Sequence, residues 1–175
     1  MVNIIIRPPC ENDAEAINEI RRQKGVMENI LSLGSERISE TSSFLTGVGP
    51  ETHLYVAEVD TKVVGMAGIS IDCRPRKRHV GKLGIFVSNK FQGIGVGTKL
   101  MTELLELADK WLMLPRVELE VYADNKDAIR LYESFGFVRE GVKKYASIKE
   151  GRYEDEVIMA RYGPIIKKGS MGNER

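Results

Sequence analysis

Three glycines at alternate positions, Gly93, Gly95 and Gly97, stand between a short apolar run and a long amphipathic stretch, and few folds accommodate that order. The run Leu83-Gly84-Ile85-Phe86-Val87 has the length and β-branched content of a strand, Ser88 to Phe91 reads as a turn, and a helix follows the glycines. A helix start leaves backbone N–H groups unpaired and carries the positive end of the macrodipole. A glycine loop that lets a ligand approach such a start is an anion site, so the expected ligand carries phosphate. The spacing excludes two phosphate loops. The dinucleotide fingerprint requires a glycine where Thr98 stands, and the ATP loop requires lysine directly after its last glycine, whereas Gly97 is followed by Thr98 and then Lys99.

At 175 residues the chain reads as one domain, long enough to bury a core without staples. Lys plus Arg (26) nearly balance Asp plus Glu (25), so no global field favours nucleic acid or an anionic membrane. Cys10 and Cys73 lie far apart with no CxxC or Cys/His spacing, and the run after Met1 is too short for a signal peptide. No apolar run is long enough to span a bilayer. These features predict a cytoplasmic, reduced, metal-free protein.

In chain order, Ile4 to Arg7 reads as a strand stopped by Pro8 and Pro9. Asn12 or Asp13 is placed to cap a helix whose apolar side is Ala14, Ile17 and Ile20 with Ala16 beside them. Met27, Ile30, Leu31 and Leu33 suggest a second helical piece, and Ser35 a cap for a third running through Leu45. From His53 the period is two: His53 to Val59, a turn at Asp60-Thr61, then Lys62 to Ile71, with Gly65 and Gly68 as bends. The basic loop Arg74 to Arg78 reads either as a solvated turn or as a contact for an anion. The helix after the glycines places Val96, Leu100, Leu104, Leu107, Ala108 and Trp111 on a core face. Pro115 ends that segment, and Arg116 to Ala123 is a strand that should lie parallel to the first because a helical crossover joins them. Val117, Leu119 and Val121 take one face of it; Glu118, Glu120 and Tyr122 take the other, which is either exposed or lines a cleft. Asp124-Asn125 opens a shorter helix stopped at Gly136, and a final hairpin turns around Lys149-Glu150-Gly151.

Gln92-Gly93-Ile94-Gly95-Val96-Gly97 resembles the (Q/R)xxGx(G/A) loop of the GNAT N-acetyltransferase superfamily. Asn125, Ala128, Ile129, Leu131, Tyr132, Glu133, Phe135, Gly136 and Phe137 resemble the same family's NxxAixlYexxGF pattern, at the expected distance after the loop. The resemblance covers roughly Ile4 to Arg161 and is nearest to bacterial enzymes that acetylate amino acids and other small amines, the phosphinothricin-type branch among them. It implies an α/β (α+β type) fold: a mixed, mostly antiparallel twisted sheet with one parallel strand pair and helices on both faces. The N-acetyltransferase domain is expected over residues 1–162, with a flexible tail over 163–175.

The resemblance also implies acetyl-CoA as cosubstrate. The backbone of Ile85, Phe86 and Val87 would take the pantetheine arm, and the amides of Gln92, Gly93, Ile94, Gly95, Val96, Gly97 and Thr98 the pyrophosphate, with Asn125 and Tyr132 on the cofactor side. An ammonium must lose a proton before it attacks a thioester, and the departing thiolate must gain one. Glu120 stands where the branch acting on protein N-termini carries its base, with Glu118 two residues away on the same face; Tyr132 matches the tyrosine that protonates the sulfur. The first parallel strand, where some members carry the base, offers only Gly81, Lys82 and Gly84. The leading acceptor is a small-molecule amine such as an amino acid, whose carboxylate would need a cation from Arg74 to Arg78, Lys144 or Arg152. The alternatives are a protein N-terminus or lysine, and, outside the enzymes, a regulatory module that binds CoA without turnover. Val26 to Pro50 covers the acceptor in this family. Homodimers are common in it, and nothing in this sequence marks one.

Overall fold

The computed structural model describes residues 2–164. Its strands are β1 (Ile5–Arg7), β2 (Thr52–Val59), β3 (Lys62–Ile71), β4 (Val80–Val87), β5 (Arg116–Tyr122), β6 (Val138–Lys149) and β7 (Arg152–Tyr162), and its helices α1 (Ala14–Arg21), α2 (Lys24–Met27), α3 (Ile38–Gly47), α4 (Val96–Lys110) and α5 (Lys126–Ser134). The strands form one mixed sheet in the order β1-β2-β3-β4-β5-β7-β6. β4 and β5 run parallel, with Lys82 opposite Glu118, as strands joined through a helix should. By contacts the described residues form two compact units, one of 2–69 with Gly84–Leu104, the other of Ser70–Leu83 with 105–164. From Ile165 the expected tail lies outside the described residues.

In the first unit, Asp60 and Thr61 both have positive φ (48° and 63°), the type I′ geometry that matches the twist of a two-residue hairpin. Gly65 and Gly68 are sites of close approach: a Cβ would stand 2.9 Å from the Phe86 carbonyl oxygen at Gly65 and 2.5 Å from Leu54 Cδ2 at Gly68. Ile17, Val56 and Met66 form a buried cluster with Leu45, Val63 and Phe86 packed against it. The expected cap at the start of α1 is absent. A 3-10 turn, Glu11–Asp13, precedes the helix, and the Asp13 carboxylate instead accepts from the Cys10 N–H (2.8 Å) and from Arg7 (2.8 and 2.9 Å). The Arg7 guanidinium holds that carboxyl below the usual range.

The stretch between α1 and α3 also departs from expectation. α2 is a single turn, and Leu31 and Leu33, expected in a second helical piece, lie beyond it and are 80% and 68% exposed. The Asn29 side chain donates to the Gly25 carbonyl (2.9 Å), which is the acceptor that a continuing helix would reserve for the backbone N–H of Asn29. Ser35 caps nothing; α3 is capped at Arg37, whose N–H donates to the Glu40 carboxylate (2.7 Å). Asn18 on α1 is only 1% exposed, and its amide donates to Thr41 Oγ1 (3.2 Å) and the Glu36 carbonyl (3.3 Å), which ties α1 to the loop and helix that follow.

α4 buries Val96, Leu100, Met101 and Leu104 in the first unit and Leu105 and Ala108 in the second. Trp111 does not extend this stripe: it is 79% exposed, because α4 ends at Lys110 and the N–H groups of Trp111 and Leu112 both turn back to the Leu107 carbonyl. In the second unit β7 pairs antiparallel with β5 and β6, and the β6–β7 ladder shifts register between Arg139 and Gly141 and between Lys143 and Ser147. The Asn125 side chain accepts from the Ala128 N–H (3.1 Å) at the start of α5, and Gly136 (φ 85°) closes its other end. No helix among the described residues is long and apolar enough to cross a membrane.

Candidate active site

The first unit carries the glycine loop. Beyond Ile85, Phe86 and Val87, a 3-10 turn (Asn89–Phe91) leads to Gln92, whose side-chain amide donates to the Val87 carbonyl (2.9 Å) and fastens the loop to the strand end. Gln23 braces the turn from outside: its side-chain oxygen accepts from the Ser88 hydroxyl (3.1 Å) and the Asn89 N–H (2.9 Å). Gly93 and Gly95 have φ of 75° and 94°, a region costly for other residues, and nothing lies within 4 Å of where a Cβ would stand at either. Ile94 and Thr98 are exposed and Val96 is buried, so the loop presents backbone to solvent while its first helical side chain anchors it. The Lys99 ammonium donates to the Ile4 carbonyl (2.9 Å), which leaves the amides of the first helical turn, with the macrodipole, as the loop's attraction for an anion. Open glycine backbone at the start of a 15-residue helix fits a pyrophosphate.

The second unit carries the carboxylates. Val117, Leu119 and Val121 of β5 are buried, and Glu118 and Glu120 face the other way, the side expected either to be exposed or to line a cleft. Both descriptions apply: Lys82, Leu83, Glu118, Leu119, Glu120 and Ile158 line an open cavity of about 470 Å³, in which Glu118 is half-buried and Glu120 is exposed. Glu120 accepts from the Lys143 ammonium at 2.5 Å, and this bond holds its carboxyl below the usual range. Lys143 is raised in return, chiefly by Glu120. Glu156 is buried and takes the Ser147 hydroxyl as its donor. Glu118 accepts from Arg116 Nε (3.0 Å), and Arg116 also grips Glu140 (2.8 and 2.5 Å), to which the Tyr162 hydroxyl donates. Lys82 has no ion-pair partner among the described residues.

Tyr132 and Asn125 belong to this unit too, on and before α5, but not to the cavity wall. The Tyr132 ring is buried against Phe137 (centroids 5.9 Å apart), and burial pushes its hydroxyl up to about 12, so it is protonated at neutral pH. Of the cations considered for an acceptor carboxylate, Arg74 folds back onto Asp72 (2.8 Å) and Lys144 is paired with Asp155 (2.7 Å). Lys82, Lys143 and Glu156 were not foreseen as site residues. The parallel register carried a signal for Lys82, since it sets that residue beside Glu118; Lys143 reaches Glu120 through a bulged ladder that no sequence pattern announces.

A model of the acetyltransferase (GNAT) family matches residues 18–137. The chain belongs to the GNAT acetyltransferase family. It is an enzyme, an N-acyltransferase that moves an acetyl group to an amine. The L-amino acid N-acetyltransferase AaaT of Escherichia coli is 36% identical over 168 residues, 92% of this chain and 99% of that protein. The N-alpha-acetyltransferase RimI of Mycobacterium tuberculosis is 38% identical over 97 residues, 54% of this chain and 58% of its own length. The structure of yncA from Salmonella typhimurium, solved with its cofactor acetyl-CoA, superposes with a TM-score of 0.82 at 22% identity, over 91% of this chain and 94% of that one. Among GNAT folds, then, this chain has a mixed sheet with one parallel pair, as expected.

Proposed function

We propose that this enzyme transfers acetyl from acetyl-CoA to the α-amine of a free amino acid. The observation that carries the reading is the similarity to an L-amino acid N-acetyltransferase along nearly the whole of both chains. The cavity supports it, since carboxylates and an unpaired ammonium share one wall, as a zwitterion requires. The amides from Gln92 to Thr98 hold the pyrophosphate, with Gly93 and Gly95 leaving room for it, and the backbone of Ile85 to Val87 takes the pantetheine arm. Asn125 sets the start of the helix that carries Tyr132.

Glu120 receives the acceptor's ammonium and takes its proton through water. Lys143, an ammonium that this carboxylate already accepts from, supports the reading and gives way to the substrate's. Because Glu120 stays ionised well below neutral pH, proton removal is limited by the amine's own pKa. Tyr132, protonated, donates to the leaving sulfur. Two free, exposed cysteines suit a reducing cytoplasm. Release of CoA thiol by purified enzyme, measured over free amino acids, polyamines and a peptide with a free N-terminus, tests the reading: turnover of free amino acids is expected, and turnover of the peptide alone would favour the protein N-terminal alternative that the RimI similarity raises.

A further inference from the structure

The cations on the β5–β7–β6 face of the second unit are almost all committed. Arg116 is bonded to Glu118 and Glu140, Lys143 to Glu120, Lys144 to Asp155, and Lys149 to Asp124 at 2.7 Å. Arg116 is thus shared between Glu118 and Glu140, and Lys143 sits on Glu120, the carboxylate that receives the acceptor's ammonium in its place. Lys82 differs: it is exposed, lies opposite Glu118 in the β4–β5 register, lines the same cavity, and has no ion-pair partner among the described residues. An acceptor that brings its own carboxylate gives this ammonium a partner, which a polyamine or simple alkylamine, bringing only positive charge, does not.

We propose that Lys82 binds the α-carboxylate of the acceptor and thereby makes the enzyme select amino acids over the amines that lack one. The assignment rests on the amino-acid reading above. The ammonium donates to the carboxylate, and the α-amine is held toward Glu120, two residues along β5 from the partner of Lys82 in the register. Leu83, Leu119 and Ile158 supply apolar wall for the side chain. Lys82 is a specificity residue: it touches the acceptor and takes no part in proton transfer.

The test compares wild type, Lys82→Met and Lys82→Arg on two acceptors: whichever of the twenty proteinogenic L-amino acids wild type turns over fastest, and the amine made by removing its carboxylate. Lys82→Met should raise KM for the amino acid roughly 10- to 100-fold, the loss of one charge-assisted hydrogen bond, with a smaller change in kcat. KM for the amine and for acetyl-CoA should not rise, and Lys82→Arg should recover most of the discrimination. Calorimetric titration of the N-acetylated amino acid into the free proteins should show the same loss of affinity without turnover. Equal losses on amino acid and amine, an amino-acid KM that stays at the wild-type value, or a raised KM for acetyl-CoA overturns the assignment while leaving the amino-acid reading in place. Wild-type enzyme that turns over amines but none of the twenty amino acids overturns both.

Discussion

Replacing Tyr132 by phenylalanine removes one hydroxyl and keeps the ring that packs on Phe137, so the fold should persist with little change in melting temperature. The size of the catalytic loss follows from the two acidities involved. The hydroxyl titrates at about 12 because the ring is buried. The parent thiol of the leaving group is near 8.5, so complete proton transfer from tyrosine to thiolate is uphill by ~5 kcal/mol. The tyrosine therefore assists by a strong hydrogen bond to the developing thiolate rather than by a finished transfer, worth ~1.5–3 kcal/mol. That range corresponds to a roughly 10- to 100-fold drop in kcat. Thiol release at saturating acetyl-CoA, followed from pH 6.5 to 9.5, measures it. The deficit should be nearly constant over this range, since the wild-type hydroxyl does not titrate there and more free amine does not replace a missing acid. A wild-type rate in Tyr132→Phe would reduce Tyr132 to a core aromatic, and a loss confined to acetyl-CoA affinity would make it a wall of the cofactor site.

Gly95→Val forces a β-branched residue into a positive-φ position and fills open space beside the loop, so calorimetry should show acetyl-CoA binding weakened by tenfold or more in a folded protein; unchanged affinity would place the phosphates elsewhere. Glu120→Gln should cut turnover by about 100-fold below the amine's pKa and recover partly as pH rises and free amine accumulates; a wild-type rate at every pH would move the base to Glu118 or to a water chain. Glu140, bonded by Arg116 and Tyr162, titrates at about 2 in the folded protein, below its ordinary value; its contribution is fully present above the ordinary carboxylate pKa and is lost as pH falls toward 2. Allowing for solvent screening, Glu140→Gln should cost about 1 kcal/mol at pH 7, and urea melts at pH 3 should show a smaller gap between the two proteins, whereas a gap that widens would be contrary.

The loop, the hairpin turn at Asp60-Thr61 and the helix caps at Asn125 and Gly136 were legible because each depends on a few adjacent residues whose backbone preferences agree. The alternation along β5 likewise placed Glu118 and Glu120 on one face, but whether that face met solvent or a cleft depended on Lys82 and Ile158 from other strands. Leu31, Leu33 and Trp111 misled for one reason: apolar spacing counts residues as if the helix continued, and the helix stops, at Asn29's competing side chain in one case and at the shared Leu107 carbonyl in the other. The close approaches at Gly65 and Gly68 were not legible because the strand packed against each of them is distant in sequence or across the turn. The Lys143–Glu120 bond spans 23 residues and a register shift, so nothing local predicts that the intended base carries an ammonium of its own.

The most direct measurement of the central claim is a competition: purified enzyme, acetyl-CoA, and an equimolar mixture of the proteinogenic L-amino acids, their decarboxylated amines, spermidine and a peptide with a free N-terminus, with acetylated products identified by mass. N-acetylated L-amino acids are expected to dominate, and their formation to match the CoA thiol released. Products drawn mainly from spermidine, the simple amines or the peptide, or no acetylated product at all, would contradict it.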